Sequence, residues 1–380
     1  MKIVTAIDSF KGSMTSIEAG RAAAEGILRV FPNAEIEVRP LADGGEGTVE
    51  ALTEGMNGII TEIEVTGPLG NRVKARYGII YETKTAIIEM SAAAGITLIP
   101  REKLNPLKTT TYGVGEMIRD AVSKGCREFI VGIGGSATND GGTGMLSALG
   151  FELLDGNGNT IPLGAEGLKI LEKIKCDNII PELSKCSFYI ACDVTNPLCG
   201  DNGCSAVYGP QKGADEQMIY NMDGWLKSFA QLTKKIYPHS DMNYPGTGAA
   251  GGIGFAFKSF LKGQLRPGIE LVLERTELEK YIKDADIVIT GEGRLDFQTS
   301  MGKAPVGVAK LAKKYGKKVI AFSGCVTEDA GECNKNGIDA FFPILRTVCS
   351  IDEAMDEENA KRNMADTAEQ VFRLIAEYGI

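Results

Sequence analysis

Glycine-rich stretches beside acidic residues are the part of this sequence best suited to chemistry. Four such stretches occur, at residues 42–48, 134–142, 246–252 and 290–296. Glycine lets a backbone turn aim several N–H groups at one anion, and carboxylates next to such turns suit a divalent cation such as Mg²⁺. The chain has one histidine, so the usual general base and zinc ligand are nearly absent. These features indicate phosphoryl transfer, which needs positioning and charge stabilisation more than a covalent catalyst.

The second stretch, residues 134–142, matches neither of two common nucleotide-binding motifs. No Lys-Ser or Lys-Thr pair closes it as in a Walker A loop, and its glycines break the spacing of a dinucleotide fingerprint. A phosphate cradle of another type fits, with Asp140 near a metal ion. Its candidate phosphate contacts are backbone N–H groups and two hydroxyls, from Gly134, Gly135, Ser136 and Thr138.

Polar residues elsewhere also follow strand-like segments. The loop at residues 8–13 carries an acid and a lysine, and the stretch at 42–48 places two acids around three glycines. Asp193 follows a strand and precedes an amide and a proline, where an ordinary Asp–Asn turn is the alternative. Lys212 lies in a turn between two glycines. The densest polar group is in the last stretch and just after it, and comprises Glu292, Arg294, Asp296 and Lys303.

The composition narrows the class of function. The chain has 380 residues, of which 43% are apolar, enough for two domains with real cores. The formal net charge of −9 argues against nonspecific nucleic-acid binding, which needs a basic surface. No apolar run approaches the roughly 18 residues that span a bilayer. We therefore expect a cytoplasmic protein with small-molecule partners, neither nucleic acid nor membrane, as a monomer or homodimer.

The nine cysteines are odd in number and include no C-x-x-C pair. Free thiols in a reducing cytosol are the expected state. A metal site at Cys192, Cys199 and Cys204 is the alternative, but the sequence offers it no histidine ligand.

The order of predicted elements indicates an α/β fold. Strand-like segments at residues 3–7 and 35–38 each lead through a loop into a helix, and the pattern returns at 286–290, where the fourth glycine stretch is predicted as the loop after the strand. Residues 61–90 instead alternate like an antiparallel meander. We predict a Rossmann-like parallel-sheet domain formed by residues 1–60 and 275–380, with residues 61–274 inserted as a mixed α/β domain.

Seven strings, taken together and in order, resemble the bacterial glycerate kinase family of the first type. The resemblance covers essentially the whole chain and implies ATP-dependent phosphorylation of D-glycerate. It also implies two α/β domains with the active site in the interdomain cleft, and it leans towards 2-phosphoglycerate over 3-phosphoglycerate as the product. The matching strings are residues 8–11, 42–48, 134–142, 193–198, 209–213, 248–254 and 290–303.

Given this resemblance, the loops suggest a role for each candidate residue. Mg²⁺·ATP is expected along the glycine stretches, and the proton of the substrate hydroxyl is expected to go to Asp193, with Asp296 as second choice. Asp8 and Lys11 are further catalytic candidates. Arg294, or Lys11 with Ser9, would bind the glycerate carboxylate. The phosphate contacts add Gly44, Gly45, Gly291, Gly293, Lys212 and Lys303, and the metal candidates are Asp43, Glu46, Asp140 and Glu292.

Other functions remain open at this point. The acceptor could be another small hydroxy acid, such as erythronate or tartronate. A nicotinamide-dependent hydroxy-acid reductase is a rival from another class, although the missing dinucleotide fingerprint disfavours it. A non-catalytic nucleotide sensor would bind ATP without turnover.

Overall fold

The structure is a computed structural model, and it describes residues 1–45 and 47–379. The chain divides into two compact units. The parallel-sheet unit comprises Met1–Asp43, Glu50–Asn57 and Ile269–Ile380. The mixed-sheet unit comprises Gly44–Val49 and Gly58–Gly268.

The described residues contain thirteen strands and fifteen α-helices. The strands are β1 (Lys2–Ile7), β2 (Glu35–Val38), β3 (Ile59–Thr66), β4 (Arg72–Ile80), β5 (Thr85–Glu89), β6 (Glu128–Gly132), β7 (Glu152–Leu154), β8 (Lys173–Lys175), β9 (Ser187–Ala191), β10 (Gln264–Arg266), β11 (Ile287–Leu295), β12 (Lys318–Val326) and β13 (Ala340–Pro343). The helices are α1 (Ser16–Leu28), α2 (Thr48–Gly55), α3 (Ser91–Ala94), α4 (Tyr112–Ser123), α5 (Thr143–Ala148), α6 (Cys204–Tyr208), α7 (Glu216–Ile236), α8 (Ala249–Phe260), α9 (Gly268–Arg275), α10 (Leu278–Asp284), α11 (Phe297–Ser300), α12 (Ala304–Lys314), α13 (Glu332–Lys335), α14 (Ile351–Met355) and α15 (Glu357–Tyr378).

The parallel-sheet unit is built on a five-stranded sheet in the order β2-β1-β11-β12-β13. All four neighbouring pairs are parallel. Numbered within the unit, this is the doubly wound order 2-1-3-4-5, whose strand order reverses between β1 and β11. Such sheets bind ligands outside the carboxyl ends of the strands at that reversal. Because Ile7 pairs with Gly291, the residues that follow β1 lie beside the last part of β11.

Helices α1 and α15 pack on this sheet and close its core. Thr15 and Glu18 form a capping box at the start of α1. The two helices approach so closely at Gly26 that a Cβ atom there would lie 1.9 Å from the carbonyl oxygen of Ala365. The absence of a side chain at residue 26 therefore sets the distance between α1 and α15.

The mixed-sheet unit is built on a six-stranded sheet in the order β10-β9-β6-β5-β4-β3. Strands β3, β4 and β5 form the predicted antiparallel meander. From β5 to β10 the neighbouring pairs are parallel. The carboxyl ends of β5, β6, β9 and β10 consequently lie along one edge of the sheet, and the loop at residues 134–142 starts there. A short antiparallel pair, β7 and β8, belongs to the same unit.

The prediction that the fourth glycine stretch, residues 290–296, forms a loop after the strand is wrong. Strand β11 continues to Leu295, and Glu292 and Arg294 pair with Ser323 and Cys325 of β12. The strand tolerates these glycines because β12 provides hydrogen-bond partners for their backbone groups, which would lack such partners in a turn. The side chains of Glu292 and Arg294 therefore project from a strand, and their positions are set by the sheet.

Two glycine-to-alanine substitutions test the packing of α1. Gly26→Ala should lower the stability of the protein by more than about 2 kcal/mol, because the backbone of α15 must move. Gly224→Ala is the matched control, since Gly224 lies on the exposed face of α7, where an added Cβ atom would have no other atom within 4 Å. It should raise stability by roughly 0.5–1 kcal/mol through helix propensity. Thermal unfolding measures both effects. If the midpoints of the two variants shifted in the same direction, the close packing of α1 on α15 at Gly26 would be contradicted.

Candidate active site

Three carboxylates of the parallel-sheet unit interact at the reversal of strand order. Asp8 directly follows β1, Glu292 lies in β11, and Asp43 precedes α2. Asp8 is only 7% exposed. Its pKa is raised from 3.8 to about 8, mainly by burial and then by the negative charges of Asp43 and Glu292, while the N–H of Ser9 and the charge of Lys11 oppose the rise. The site therefore holds more negative charge than its own cations neutralise.

The loop after β1 is a compact turn that carries Ser9 and Lys11. A β-bridge joins Phe10 to Met14, and the Ser13 hydroxyl donates to the Phe10 carbonyl. The N–H of Ser9 donates to Asp8 Oδ1 over 2.7 Å. Lys11 is exposed, so its ammonium group is accessible to a ligand next to Asp8.

The end of β11 and the start of α11 carry two carboxylates, Glu292 and Asp296. Thr299 Oγ1 donates to Glu292 Oε1, and burial raises the pKa of Glu292. Asp296 is the N-cap of α11 and accepts from the backbone N–H groups of Gln298 and Thr299. Arg294 forms an ion pair with Asp296 over 2.9 Å. Burial raises the pKa of Asp296, but these hydrogen bonds and the ion pair lower it by more, so the pKa is lowered overall. Asp296 is therefore a weak base.

Arg294 and Lys303 keep access to solvent. The Arg294 side chain is 62% exposed despite its ion pair with Asp296. Lys303 Nζ donates to the Gln298 side-chain oxygen over 3.1 Å and lies near Glu292. Both cations could therefore turn towards an anionic ligand without breaking a buried contact.

In the mixed-sheet unit, loop 134–142 presents backbone N–H groups at its beginning. Gly134 and Gly135 are exposed, whereas residues 136–140 are buried. In the described part of the chain, the N–H groups of Gly134 and Gly135 donate no hydrogen bond. Exposed amides without a partner at the carboxyl end of a strand are suited to bind phosphoryl oxygens.

Asp140 holds the rest of the loop in place. Its carboxylate is fully buried and accepts four hydrogen bonds, from Thr111 N, Thr111 Oγ1, Gly142 N and Gly144 N, at 2.9, 2.8, 3.1 and 3.3 Å. Burial raises the pKa of Asp140, and these hydrogen bonds oppose the rise. With both oxygens occupied by donors of its own unit, Asp140 braces the loop, and the sequence prediction of a metal role has no support from its contacts.

Lys212 lies under the same loop. It is 1% exposed, and its Nζ donates to Ser136 Oγ over 2.9 Å and to the Thr138 carbonyl over 2.7 Å. The Thr138 hydroxyl is buried and makes no hydrogen bond with a described residue. Lys212 thus contacts the loop from inside and not from the solvent side.

The third glycine stretch packs against this loop. Ala250, Gly251 and Gly252 are all left-handed, and the N–H of Gly141 donates to the Gly251 carbonyl over 2.9 Å. A Cβ atom at residue 251 would lie 1.9 Å from the Thr138 carbonyl oxygen. The stretch is therefore a rigid support for loop 134–142, and not a flexible linker.

The remaining predicted residues of this unit lie at the same sheet edge. Asp193 follows β9, and its Oδ1 accepts from the N–H of Gly268 over 2.9 Å. Gly44 packs against Ala191 at the end of β9, and Gly45 accepts from the Thr48 hydroxyl. Glu46, a predicted metal ligand, lies outside the described residues.

Sequence reasoning missed the residues that support the others. Thr111 donates twice to Asp140, and Glu89, at the end of β5, accepts from the N–H of Val49. The run of three threonines at 109–111, just before a helix, was an available signal for Thr111. Glu89 had no comparable signal, because only strand pairing brings β5 to this edge.

Two absences hold for the described residues. They contain no cluster of three or more His, Cys, Asp or Glu side chains arranged to hold a metal ion. None of their helices is both long enough and apolar enough to cross a membrane.

The comparison with known families identifies the family of this chain. A model of the glycerate kinase family matches residues 3–376. The chain belongs to the glycerate kinase family. As a member, it is an enzyme, a phosphotransferase with an alcohol group as acceptor.

Named relatives cover almost the whole of this family member. A glycerate 2-kinase of Escherichia coli is 48% identical over 372 residues, covering 97% of this chain and 98% of the relative. A glycerate kinase of Haemophilus influenzae is 46% identical over 376 residues, covering 99% of each chain. The crystal structure of a protein assigned as glycerate kinase 2 from Salmonella typhimurium LT2 matches with a TM-score of 0.92 at 46% identity, over 100% of both chains. The predicted family and fold class are confirmed.

Replacing Asp8 should change how stability depends on pH. The folded-state pKa of Asp8, about 8, lies above its ordinary value of 3.8, so the folded state retains a proton that the unfolded state loses. Stability is then lost as pH rises from about 4 to about 8. Asp8→Asn should therefore be more stable than the wild type at pH 8, by on the order of 2 kcal/mol or more, and show little gain at pH 4.

Thermal unfolding in EDTA across that pH range measures the effect. Asp155→Asn is a control whose pH dependence has the opposite sign. Hydrogen bonds from the N–H groups of Asn159 and Asn157 lower the pKa of Asp155, so this variant should lose stability relative to the wild type as pH rises. A gain for Asp8→Asn that is independent of pH would contradict the raised pKa.

Proposed function

We propose that the protein transfers the γ-phosphoryl group of ATP to the 2-hydroxyl group of D-glycerate, with Mg²⁺ as the metal ion. The observation that carries this proposal is the pair of exposed, unpartnered amides at Gly134 and Gly135 in the described part of the chain, which suits phosphoryl oxygens in a member of the glycerate kinase family. The 2-position is favoured because a relative at 48% identity is named a glycerate 2-kinase.

In this proposal the mixed-sheet unit binds phosphate. The amides of Gly134 and Gly135 and the hydroxyl of Ser136 donate to phosphoryl oxygens. Backbone donors fixed before the ligand arrives need no reorganisation as charge develops on the transferred group. The sheet edge at Gly44 and Gly45 offers further backbone for the same purpose.

The carboxylates of the parallel-sheet unit suit the metal ion. Asp43 and Glu292 lie close enough to Asp8 for their charges to raise its pKa, and the charge of Asp43 also raises the pKa of Glu292. A divalent cation would relieve that repulsion. Mg²⁺ is usually held by one or two carboxylates together with waters and phosphates, so the lack of a three-ligand cluster in the described residues does not disfavour it. We propose that Asp43 and Glu292 hold Mg²⁺, which would neutralise phosphate charge.

A carboxylate must accept the proton as the glycerate oxygen attacks the γ-phosphorus and ADP leaves. We propose Asp193 for this role, because it is exposed and the N–H of Gly268 donates to its Oδ1, which orients the carboxylate as a base requires. Asp296 is less suited, since its N-cap bonds and the Arg294 ion pair lower its pKa. Asp8 is the rival, because its buried carboxyl group lies beside the cationic Lys11 and the proposed metal ligands Asp43 and Glu292.

The glycerate carboxylate needs a cation. Arg294 is exposed enough to provide a bidentate contact, although it must share its guanidinium group with Asp296. Lys11, with the Ser9 hydroxyl beside it, offers a second cation next to Asp8. We propose Arg294 as the main carboxylate ligand, with Lys11 and Ser9 assisting it, and Lys303 as a neutralising charge for phosphate.

The reducing cytosol is the proposed compartment. All nine cysteines are free thiols, and burial raises the pKa values of Cys192, Cys199 and Cys204, so these three are poor thiolate ligands for a metal ion. The alternative of a cysteine metal site is correspondingly disfavoured.

Incubation with Mg²⁺·ATP and D-glycerate should give 2-phosphoglycerate and ADP. Phosphorus and proton NMR of the product identify which hydroxyl carries the phosphate. A panel with erythronate, tartronate and L-glycerate, in a coupled ADP assay, should show D-glycerate as the acceptor with the highest kcat/KM. Formation of 3-phosphoglycerate would contradict the regiochemistry, and a higher kcat/KM for another acid would contradict the acceptor.

Replacing the proposed base separates the candidate carboxylates. Asp193→Asn should lower kcat by roughly 100-fold or more while the Kd for Mg²⁺·ATP stays within about twofold, because general bases contribute on this scale. Asp296→Asn should lower kcat much less. Steady-state kinetics and calorimetric titration measure the two quantities. A near-normal kcat for Asp193→Asn, together with a large loss for Asp8→Asn, would transfer the role to Asp8.

A further inference from the structure

The buried ammonium group of Lys212 and the hydroxyl group of Ser136 form the least expected contact in loop 134–142. Lys212 Nζ lies 2.9 Å from Ser136 Oγ and 2.7 Å from the Thr138 carbonyl oxygen. Lys212 is 1% exposed and belongs to a turn 76 residues further along the chain than Ser136. Removing the charge of a lysine from water costs free energy, so the buried contacts of Lys212 must stabilise it more than a typical surface contact would.

The chemistry of the two groups fixes the direction of their hydrogen bond. An ammonium group has three donors and no acceptor, whereas a serine hydroxyl has one donor and two acceptor lone pairs. Ser136 Oγ therefore accepts from Lys212, and its own hydrogen must point elsewhere. The only side-chain hydrogen bond of Ser136 among the described residues is the one that it accepts from Lys212.

The charge state of Lys212 supports the same direction. Burial lowers the pKa of Lys212 to about 8, while the negative charge of Asp140 opposes the shift. The group is thus mostly protonated at neutral pH. It also lies in a low-dielectric interior, where its charge acts on a nearby anion more strongly than a solvated lysine would.

We propose that Lys212 is a positioning residue that makes the Ser136 hydroxyl a hydrogen-bond donor to a phosphoryl oxygen of the nucleotide. This inference rests on the proposed function and refines the phosphate-contact role that the sequence suggested for Lys212. Ser136 directly follows the exposed Gly134 and Gly135 in the chain and keeps 7% of its surface exposed, so its hydroxyl belongs to the segment proposed to contact the phosphates. Lys212 itself is only 1% exposed, so the loop that it contacts shields its ammonium group from direct contact with a phosphate.

A double-mutant cycle for Mg²⁺·ATP binding tests the inference. Ser136→Ala should weaken the Kd for Mg²⁺·ATP by roughly 10- to 100-fold, the range for a hydrogen bond to a charged group. Lys212→Met should weaken it at least as much, and the double variant should be no weaker than Lys212→Met alone. The KM for glycerate should change by less than about twofold in Ser136→Ala, because the inference concerns the nucleotide only.

Two matched controls of the same unit remove comparable groups elsewhere. Ser259→Ala deletes a buried hydroxyl that makes no hydrogen bond in the described residues, and Lys234→Met deletes an ammonium group that donates to the Ser240 carbonyl. Both should bind Mg²⁺·ATP like the wild type. Thermal unfolding of all variants identifies any that do not fold, and Ser136→Ala alone keeps the inference testable if Lys212→Met is unstable.

The outcomes separate the inference from the proposed function. A wild type that does not phosphorylate glycerate with ATP would overturn both. An active wild type whose Ser136→Ala variant binds Mg²⁺·ATP equally well would overturn the inference alone. Losses that multiply in the double variant would overturn it as well, because Lys212 would then act independently of Ser136.

Discussion

The buried carboxylate of Asp140 is the group on which the geometry of loop 134–142 depends. It accepts four hydrogen bonds, two of them from Thr111 at the start of α4. Because Asp140 takes up the N–H groups at the loop's end and Gly251 supports its middle, the amides of Gly134 and Gly135 stay available to a ligand. The buried carboxylate of Asp140 thus fixes the loop that carries the two amides proposed to bind phosphate.

The two units contribute opposite electrostatics. In the parallel-sheet unit, sheet topology gathers Asp8, Asp43 and Glu292, and burial together with their repulsion raises the pKa of Asp8 to about 8. In the mixed-sheet unit, backbone amides and the buried ammonium group of Lys212 provide positive potential. The first environment suits a metal ion, and the second suits phosphoryl oxygens.

The sequence predicts the fold well where local patterns decide it. The strands predicted at residues 3–7 and 35–38 are present as β1 and β2, and the meander at 61–90 is present as β3 to β5. The prediction of a loop at the fourth glycine stretch, residues 290–296, is wrong, because pairing with β12 extends the strand to Leu295 and no local sequence pattern indicates that pairing. Asp140 and Lys212 were recognised as polar residues near glycines, but their partners lie 29 and 76 residues away, so their bracing contacts could not be predicted.

The central claim is that the amides of Gly134 and Gly135 are preformed donors for the phosphates of ATP. A crystal structure of the protein with Mg²⁺ and a non-hydrolysable ATP analogue tests it most directly. We expect phosphoryl oxygens within about 3.2 Å of both amide nitrogens, with the backbone of loop 134–142 unchanged by the ligand. An analogue bound with its phosphates away from these two amides would contradict the account.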